Sequence, residues 1–255
     1  MDEPRAPSGL ARLLESLREE IDPTFEFVSP GPIPWCPAPS DPTTVSAALI
    51  TTAGLHLLGD EPFADRRLGD TTFRIVPRGT EPERLDLLAP YVDRRYIPGD
   101  PEVALPLQAL ETLHAAGWIG PPAPRHISLS GGIVRPLPGL LDSAERIAGI
   151  FDEDGVGAAI LLPSCSLCVQ TVCLLARELE GRGLPTVALT LIPELTRIVG
   201  APRALAVRFP FGAPAGDPGN APLHRAVLRE ALRLLSEAPG PGTLRESYLG
   251  WRRSY

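Results

Sequence analysis

The chain has 255 residues, 44% of them hydrophobic and 22% charged, with a net charge of −7. That length supports one large α/β domain or two small ones around a real core, and no apolar run approaches the roughly 20 residues of a membrane span. The acidic balance argues against nucleic acid as a partner; all 24 basic residues are arginine, which excludes lysine Schiff-base chemistry and a Walker-type phosphate loop.

Met1-Asp2-Glu3-Pro4-Arg5 lacks the basic and apolar regions of a signal peptide, so a cytoplasmic location without membrane contact is expected. Leu10 to Ile21 then reads as an amphipathic helix, with Leu10, Leu13, Leu14, Leu17 and Ile21 at helical spacing. Pro23 and the proline-rich stretch 30–42 end regular structure. Val45 to Thr51 reads as a strand, closed by Thr52-Ala53-Gly54, with His56 in the loop beyond. Residues 59–100 are polar and carry charge clusters such as Arg66-Arg67 and Asp93-Arg94-Arg95. They read as a long inserted excursion with short elements, a lid or a decorated surface loop. Leu105 to Ala116 reads as a helix capped by Gly117. Gly131-Gly132 punctuate the next stretch, and Leu140 to Asp152 reads as a second amphipathic helix.

From residue 158 the pattern sharpens. Strand Ala158–Leu162, helix 166–181, strand Thr186–Leu191, a helix from Glu194 to Gly200 and strand Ala204–Phe209 follow with short connections. That alternation predicts an α/β fold: an open, mostly parallel sheet with helices on both faces, a Rossmann-like three-layer arrangement. Val227 to Leu235 is the last expected helix. The expected division is an N-terminal helix and proline-rich arm over 1–42, the α/β domain over 43–236, and a C-terminal tail over 237–255. Two similar halves, 43–140 and 141–236, are one possible subdivision.

Ligands of open parallel sheets bind at the carboxyl ends of the strands. Here those ends carry Thr51, Thr52 and Gly54, Cys165 and Cys168, Thr190 to Glu194, and Pro210-Phe211-Gly212. Cys165-Ser166-Leu167-Cys168 stands where a strand meets a helix. Unpaired N–H groups and positive partial charge at a helix N-terminus favour a thiolate. On a helix the two cysteines lie roughly 60° apart and within one turn, close enough for a disulfide. Cys173 falls on another side, among Val169, Val172 and Ala176, and reads as a small core hydrophobe. Cys36, after Trp35 in the proline-rich arm, reads as a third thiol near the site or as structural or incidental.

One CxxC pair with scattered histidines does not make a zinc or iron–sulfur site, so no metal is expected. His56 reads as a base beside a thiolate or as an exposed loop residue, and His126 likewise. His114 and His224 sit in helical patterns and read as surface residues. Arg203 reads as a clamp for a substrate carboxylate or as half of a surface salt bridge.

The stretch Leu161-Leu162-Pro163-Ser164-Cys165-Ser166-Leu167-Cys168, followed by Ala176-Arg177-Glu178-Leu179-Glu180-Gly181-Arg182-Gly183-Leu184-Pro185-Thr186-Val187, resembles the glycine/sarcosine/betaine reductase selenoprotein B family, which includes D-proline reductase subunits. Val199-Gly200-Ala201-Pro202-Arg203, Pro210-Phe211-Gly212 and Gly216-Asp217-Pro218-Gly219 continue the resemblance. Thr51-Thr52-Ala53-Gly54-Leu55-His56 and Glu61-Pro62-Phe63 extend it into the N-terminal half. It covers about residues 30–236 and is most specific over 161–212. Cys165 takes the position of the family's selenocysteine and Cys168 that of its following cysteine.

The resemblance implies reductive cleavage of a carbon–heteroatom bond, typically C–N beside a carboxylate. The expected enzyme is a thiol-dependent reductase in which Cys165 attacks and Cys168 resolves the adduct to a disulfide. Cysteine in place of selenocysteine implies slower chemistry. Thr51, Thr52, Gly54, His56, Glu194 and Arg203 are the candidate substrate-binding residues. No tightly bound cofactor is expected; an external thiol or thioredoxin-like protein would reset the disulfide. A small-molecule substrate, and a possible homo-oligomer, complete the expected partners. The alternatives are a redox-neutral isomerase or racemase-like enzyme, and a non-catalytic redox sensor or complex subunit.

Overall fold

Helical spacing of leucines produces α1 (Gly9–Glu20), which buries Leu17. The computed structural model describes residues 9–64, 68–88, 92–134 and 137–251. Arg66-Arg67 and the first residues of the expected N-terminal arm lie outside the described residues. After the arm come β1 (Ala47–Thr51), β2 (Leu55–Leu57), β3 (Phe73–Pro77), β4 (Leu85–Leu87) and α2 (Leu107–Ala115). Then follow β5 (Arg125–Leu129), α3 (Leu137–Glu153), β6 (Ala158–Leu162), α4 (Ser166–Gly181) and β7 (Thr186–Thr190). The chain continues with α5 (Pro193–Val199), β8 (Arg203–Arg208), α6 (Ala221–Glu237) and β9 (Thr243–Gly250).

Seven strands form one sheet in the order β3-β5-β1-β6-β7-β8-β9. All neighbours are parallel except β3, which runs antiparallel along β5. The chain leaves β1 for β5 on one side, then crosses back through α3 to β6 on the other. The carboxyl ends of β1 and β6 are therefore the switch point at which doubly wound sheets open a crevice.

Every residue of β1 is buried because both faces of the strand are covered. Ala47 and Leu49 join the core formed with α2 and α6; Ala48 and Ile50 join the core formed with α3, α4 and α5. This is the three-layer α/β arrangement that the alternation predicts. Helix α4 is buried almost throughout, since the sheet covers one side and the proline-rich arm crosses the other. The Val28 N–H donates to Gln170 Oε1 at 2.8 Å, and Arg177 donates to the carbonyls of Gly31 and Pro32 at 3.2 and 2.6 Å. The Cys36 N–H donates to Glu180. Positions 170, 177 and 180 recur on one face of a helix, so a single face of α4 holds the arm.

Three elements differ from the sequence expectation. Residues 243–250, expected within a tail, form β9 and extend the sheet past β8. The excursion contributes β3 to the main sheet and β4, which pairs antiparallel with β2, the strand just before the excursion. Strand β5 escaped the sequence reading because Arg125, His126 and Ser128 break its apolar pattern. Tertiary partners make these polar residues acceptable. Arg125 pairs with Glu153 and Asp154, and the buried His126 Nδ1 accepts the Leu49 N–H at 3.1 Å.

That acceptor role requires a neutral ring, and burial pushes the His126 pKa down to about 4 from 6.5. The unfolded chain takes up the proton first as pH falls. Stability from this residue is complete above pH 6.5 and is lost progressively toward pH 4, by at most roughly 3 kcal/mol. Urea midpoints measured at pH 7 and pH 4.5 should show the fall. A His126→Asn variant, whose side-chain oxygen can accept the same N–H, should show a smaller pH dependence; an equal dependence would assign the effect elsewhere.

Candidate active site

Strand β6 ends at Leu162, and Pro163-Ser164 carry the chain to the start of α4. Cys165 is the N-cap of α4, in extended backbone at φ −141° and ψ 177°. Its Sγ accepts the Cys168 N–H at 3.2 Å, using one of the donors that a helix start leaves unpaired. The first turn of α4 sets the two Cα atoms 4.8 Å apart, and the sulfurs are joined as a disulfide. Cys165 keeps 6% of its surface exposed and Cys168 none. An incoming group therefore meets Cys165 first. The pair stands at the switch point between β1 and β6.

The end of β1 supports this turn. Thr52 Oγ1 accepts the Ser164 N–H at 3.1 Å, and the Thr52 N–H donates to Leu162 O at 3.1 Å. Cys168 Sγ lies 3.8 Å from Thr52 O. Gly131 closes the floor with φ +73°; a Cβ there would sit 2.5 Å from Thr52 O and 2.8 Å from Cys168 Sγ. Gly131 thus admits the inner cysteine, a role that its sequence setting shows only as a break. Gly131→Ala should destabilise the protein by about 1–3 kcal/mol through strain at positive φ and the clash. It should also alter the dithiol–disulfide potential measured against glutathione; an unchanged potential would leave Gly131 a purely structural role.

The excursion reaches this edge from above. Val92 packs toward Gly131, and Asp93 O fills the place where a Gly212 Cβ would stand. Gly212, at φ +84°, in turn donates its N–H to Ser164 O at 2.8 Å. Tyr96 stacks edgewise on Trp251, which also meets Phe209 at the end of β8. Val92, Asp93 and Tyr96 of the excursion therefore pack on residues that flank the thiol turn.

The other candidate residues divide. Thr51 Oγ1 accepts the Ala53 N–H at 3.2 Å, so both threonine hydroxyls are used in shaping the turn. Gly54 donates to Leu129 O at 2.8 Å and ties the loop to β5. His56 lies within β2 rather than in an open loop and is buried. Its ring nitrogens face Gly54 O at 3.4 Å and the Asp86 carboxylate at 3.9 Å, and its ring stands perpendicular to that of Phe63. Glu194 opens α5 and lines a cleft that also includes Ser166.

Arg203 stands at the opposite, amino-terminal edge of the sheet and is fully buried. It ion-pairs with Glu180, donates to Cys36 O at 2.7 Å and stacks 3.6 Å over the Trp35 ring. The substrate-clamp and surface-bridge readings of Arg203 both give way to a buried structural pair. Desolvation raises the Glu180 carboxyl and lowers the Arg203 guanidinium, and their mutual attraction opposes both shifts.

Cys36 lies at that same distant edge, its thiol on Gly183 O at 3.1 Å, and burial pushes its pKa up. Cys173 is a core residue whose thiol burial pushes up to about 12. His224 is buried rather than superficial, its Nε2 2.8 Å from Asp217 O.

The chain is homologous to subunits of amino-acid reductases. It is 29% identical over 232 residues to the D-proline reductase subunit gamma of Acetoanaerobium sticklandii, covering 91% of this chain and 93% of that protein. It is 27% identical over 221 residues to the sarcosine reductase complex component B subunit beta of Peptoclostridium acidaminophilum, covering 84% of this chain. It is 26% identical over 223 residues to the glycine reductase complex component B subunit gamma of Carboxydothermus hydrogenoformans. The chain spans nearly all of the first relative and about half the length, 49%, of the other two. No family model and no solved structure matches it. Homology to these subunits supports a reductase role. Among the described residues, no helix is long and apolar enough to cross a membrane.

Proposed function

We propose that the protein is a thiol-dependent reductase that cleaves a carbon–heteroatom bond of a small carboxylate-bearing metabolite. The observation that carries this reading is the Cys165–Cys168 disulfide at the switch point, with Cys165 as the N-cap of α4. In the reduced protein the Cys165 thiolate attacks the carbon bearing the leaving group. A C–S bond forms, the carbon–heteroatom bond breaks, and the heteroatom leaves with a proton. Cys168 then attacks Cys165 Sγ. The C–S bond breaks, its electron pair stays on the carbon beside the carboxylate, and protonation gives the reduced product. The balance is R–X plus two thiols giving R–H, H–X and one disulfide. An external dithiol, a thioredoxin-like protein or a small thiol, returns the pair to the reduced state.

Helix geometry supports the division of roles. The N-cap position stabilises charge on Cys165 through the Cys168 N–H and the helix dipole. Cys168, fully buried, is the resolving thiol of this reading. An isomerase would need a second thiol facing Cys165 across the crevice. The end of β1 offers Thr51 and Thr52 instead, and Cys36 and Cys173 lie elsewhere. The relatives named as complex components favour a working partner subunit as a second feature of this reading.

The test is to reduce the full-length protein, remove the reductant and add candidate metabolites singly. Loss of two thiols per chain, matched by one equivalent of deaminated or otherwise reduced product, supports the reading. Product formation with the thiols unchanged would refute it.

A further inference from the structure

A cleft of about 620 Å³ opens beside the thiol turn. Its wall includes Ser166, the residue that follows Cys165, and Phe211, the neighbour of Gly212 whose N–H holds Ser164 O. Cys165 directly precedes the wall residue Ser166 and keeps 6% of its surface exposed. Leu13 of α1 and Ile192 before α5 supply apolar wall, and Glu194 and Arg197 of α5 supply charge. Sequence reading singled out Glu194 but passed over Arg197, because nothing in the pattern Pro193-Glu194-Leu195-Thr196-Arg197 shows which helix face meets the thiols.

We propose that this cleft is the substrate subsite of the thiol pair and that it selects a monocarboxylate with a bulky apolar body, Arg197 binding the carboxylate. The proposal rests on the thiol-reductase reading and narrows its substrate class. Three observations carry it. The volume lies in the range of cavities that enclose drug-sized ligands, well beyond the needs of a two-carbon acid. The leucine and isoleucine walls reward an apolar body by the area they remove from water. Arg197 is exposed and its guanidinium has no hydrogen-bond or ion-pair partner among the described residues, so it can hold a carboxylate.

The other charges on the rim define the selectivity. Glu246 also lines the cleft, but its charge is met by Arg208 at 3.0 Å. Glu194, one helical turn before Arg197, has no such partner among the described residues and repels a second anionic group. The rim therefore discriminates against dianions.

Titration calorimetry on the full chain with 3-phenylpropionate, its neutral amide and phenylsuccinate tests this. Phenylpropionate should bind at least about tenfold more tightly than the amide. Arg197→Gln should erase that difference, and Glu194→Gln should improve phenylsuccinate binding relative to phenylpropionate. Both positions are on an exposed helix surface, and thermal unfolding confirms that each variant is folded. Phenylpropionate should also slow iodoacetamide alkylation of Cys165 in the reduced protein. Equal binding of acid and amide, unchanged discrimination in Arg197→Gln, or unprotected Cys165 would each overturn the proposal. Binding with protection in a protein whose thiols no metabolite ever oxidises would instead overturn the reductase reading and leave the subsite standing.

Discussion

Cys165→Ser should abolish reductive turnover, by at least about a thousandfold, because a serine hydroxyl at the same N-cap is a far weaker nucleophile at neutral pH. The substitution leaves the fold intact: serine is a preferred N-cap residue and accepts the Cys168 N–H as the sulfur does. Loss of activity can then be assigned to chemistry. Cys168→Ser should behave differently. Attack by Cys165 still occurs, but the adduct cannot be resolved internally. Intact-mass spectrometry of Cys168→Ser after incubation with substrate should show one adduct per chain, mapped to Cys165 by peptide fragmentation. Added dithiothreitol should release reduced product slowly, by resolving from outside. Retained turnover in Cys165→Ser, or an adduct on Cys168 in place of Cys165, would sink the assigned roles.

The second large effect concerns stability. Glu180→Ala should cost about 3–5 kcal/mol, because it strips a counter-charge from an arginine with no access to water. Glu180 also accepts the Thr186 N–H at 2.7 Å, the Thr186 hydroxyl at 3.0 Å and the Cys36 N–H. One carboxylate thus joins α4, the start of β7, the start of β8 and the proline-rich arm. Urea unfolding should report the loss, and limited proteolysis should find the arm cleaved around residues 28–36 in the variant. The double variant Glu180→Ala/Arg203→Met removes the stranded charge and should recover part of the stability. A single-variant cost below about 1 kcal/mol would show that the pair is hydrated in solution.

These two predictions concern opposite ends of the same helix. Gln170, Arg177 and Glu180 fasten the arm along α4, while Cys165 caps its first turn. An arm bound over α4 holds the helix against the sheet, and the helix start holds the sulfur at the switch point. Partial loosening of the arm should therefore be read by thiol reactivity as well as by stability.

Local pattern settled much of this protein. Residues 158–209 alternate apolar runs with capped helical segments, and each piece forms where its own periodicity places it. The reason is that these strands are buried on both faces and the helices start and stop on local signals such as Cys165 and Gly200. The spacing of Cys165 and Cys168 likewise implies a closable pair, because a helix turn is a local geometry. Strands β5 and β9 were not legible. Arg125, His126, Arg245 and Glu246 are polar, and only partners on other elements, Leu49, Asp154, Arg208 and Glu237, make strands of them. Helix α6 begins earlier than its apolar pattern suggests, at a cap signal in Asn220-Ala221-Pro222.

The site shows the same division. The thiol pair is written in four consecutive residues. Which groups surround it depends on the order of strands, a property of the whole chain. That order sends Arg203 and Cys36 to the distant edge of the sheet and sets Gly131 against Cys168. It also brings α1, Phe211 and Arg197 around Ser166. The chemistry of the thiols was local and therefore readable, whereas their surroundings arise from long-range packing that no short window of residues contains.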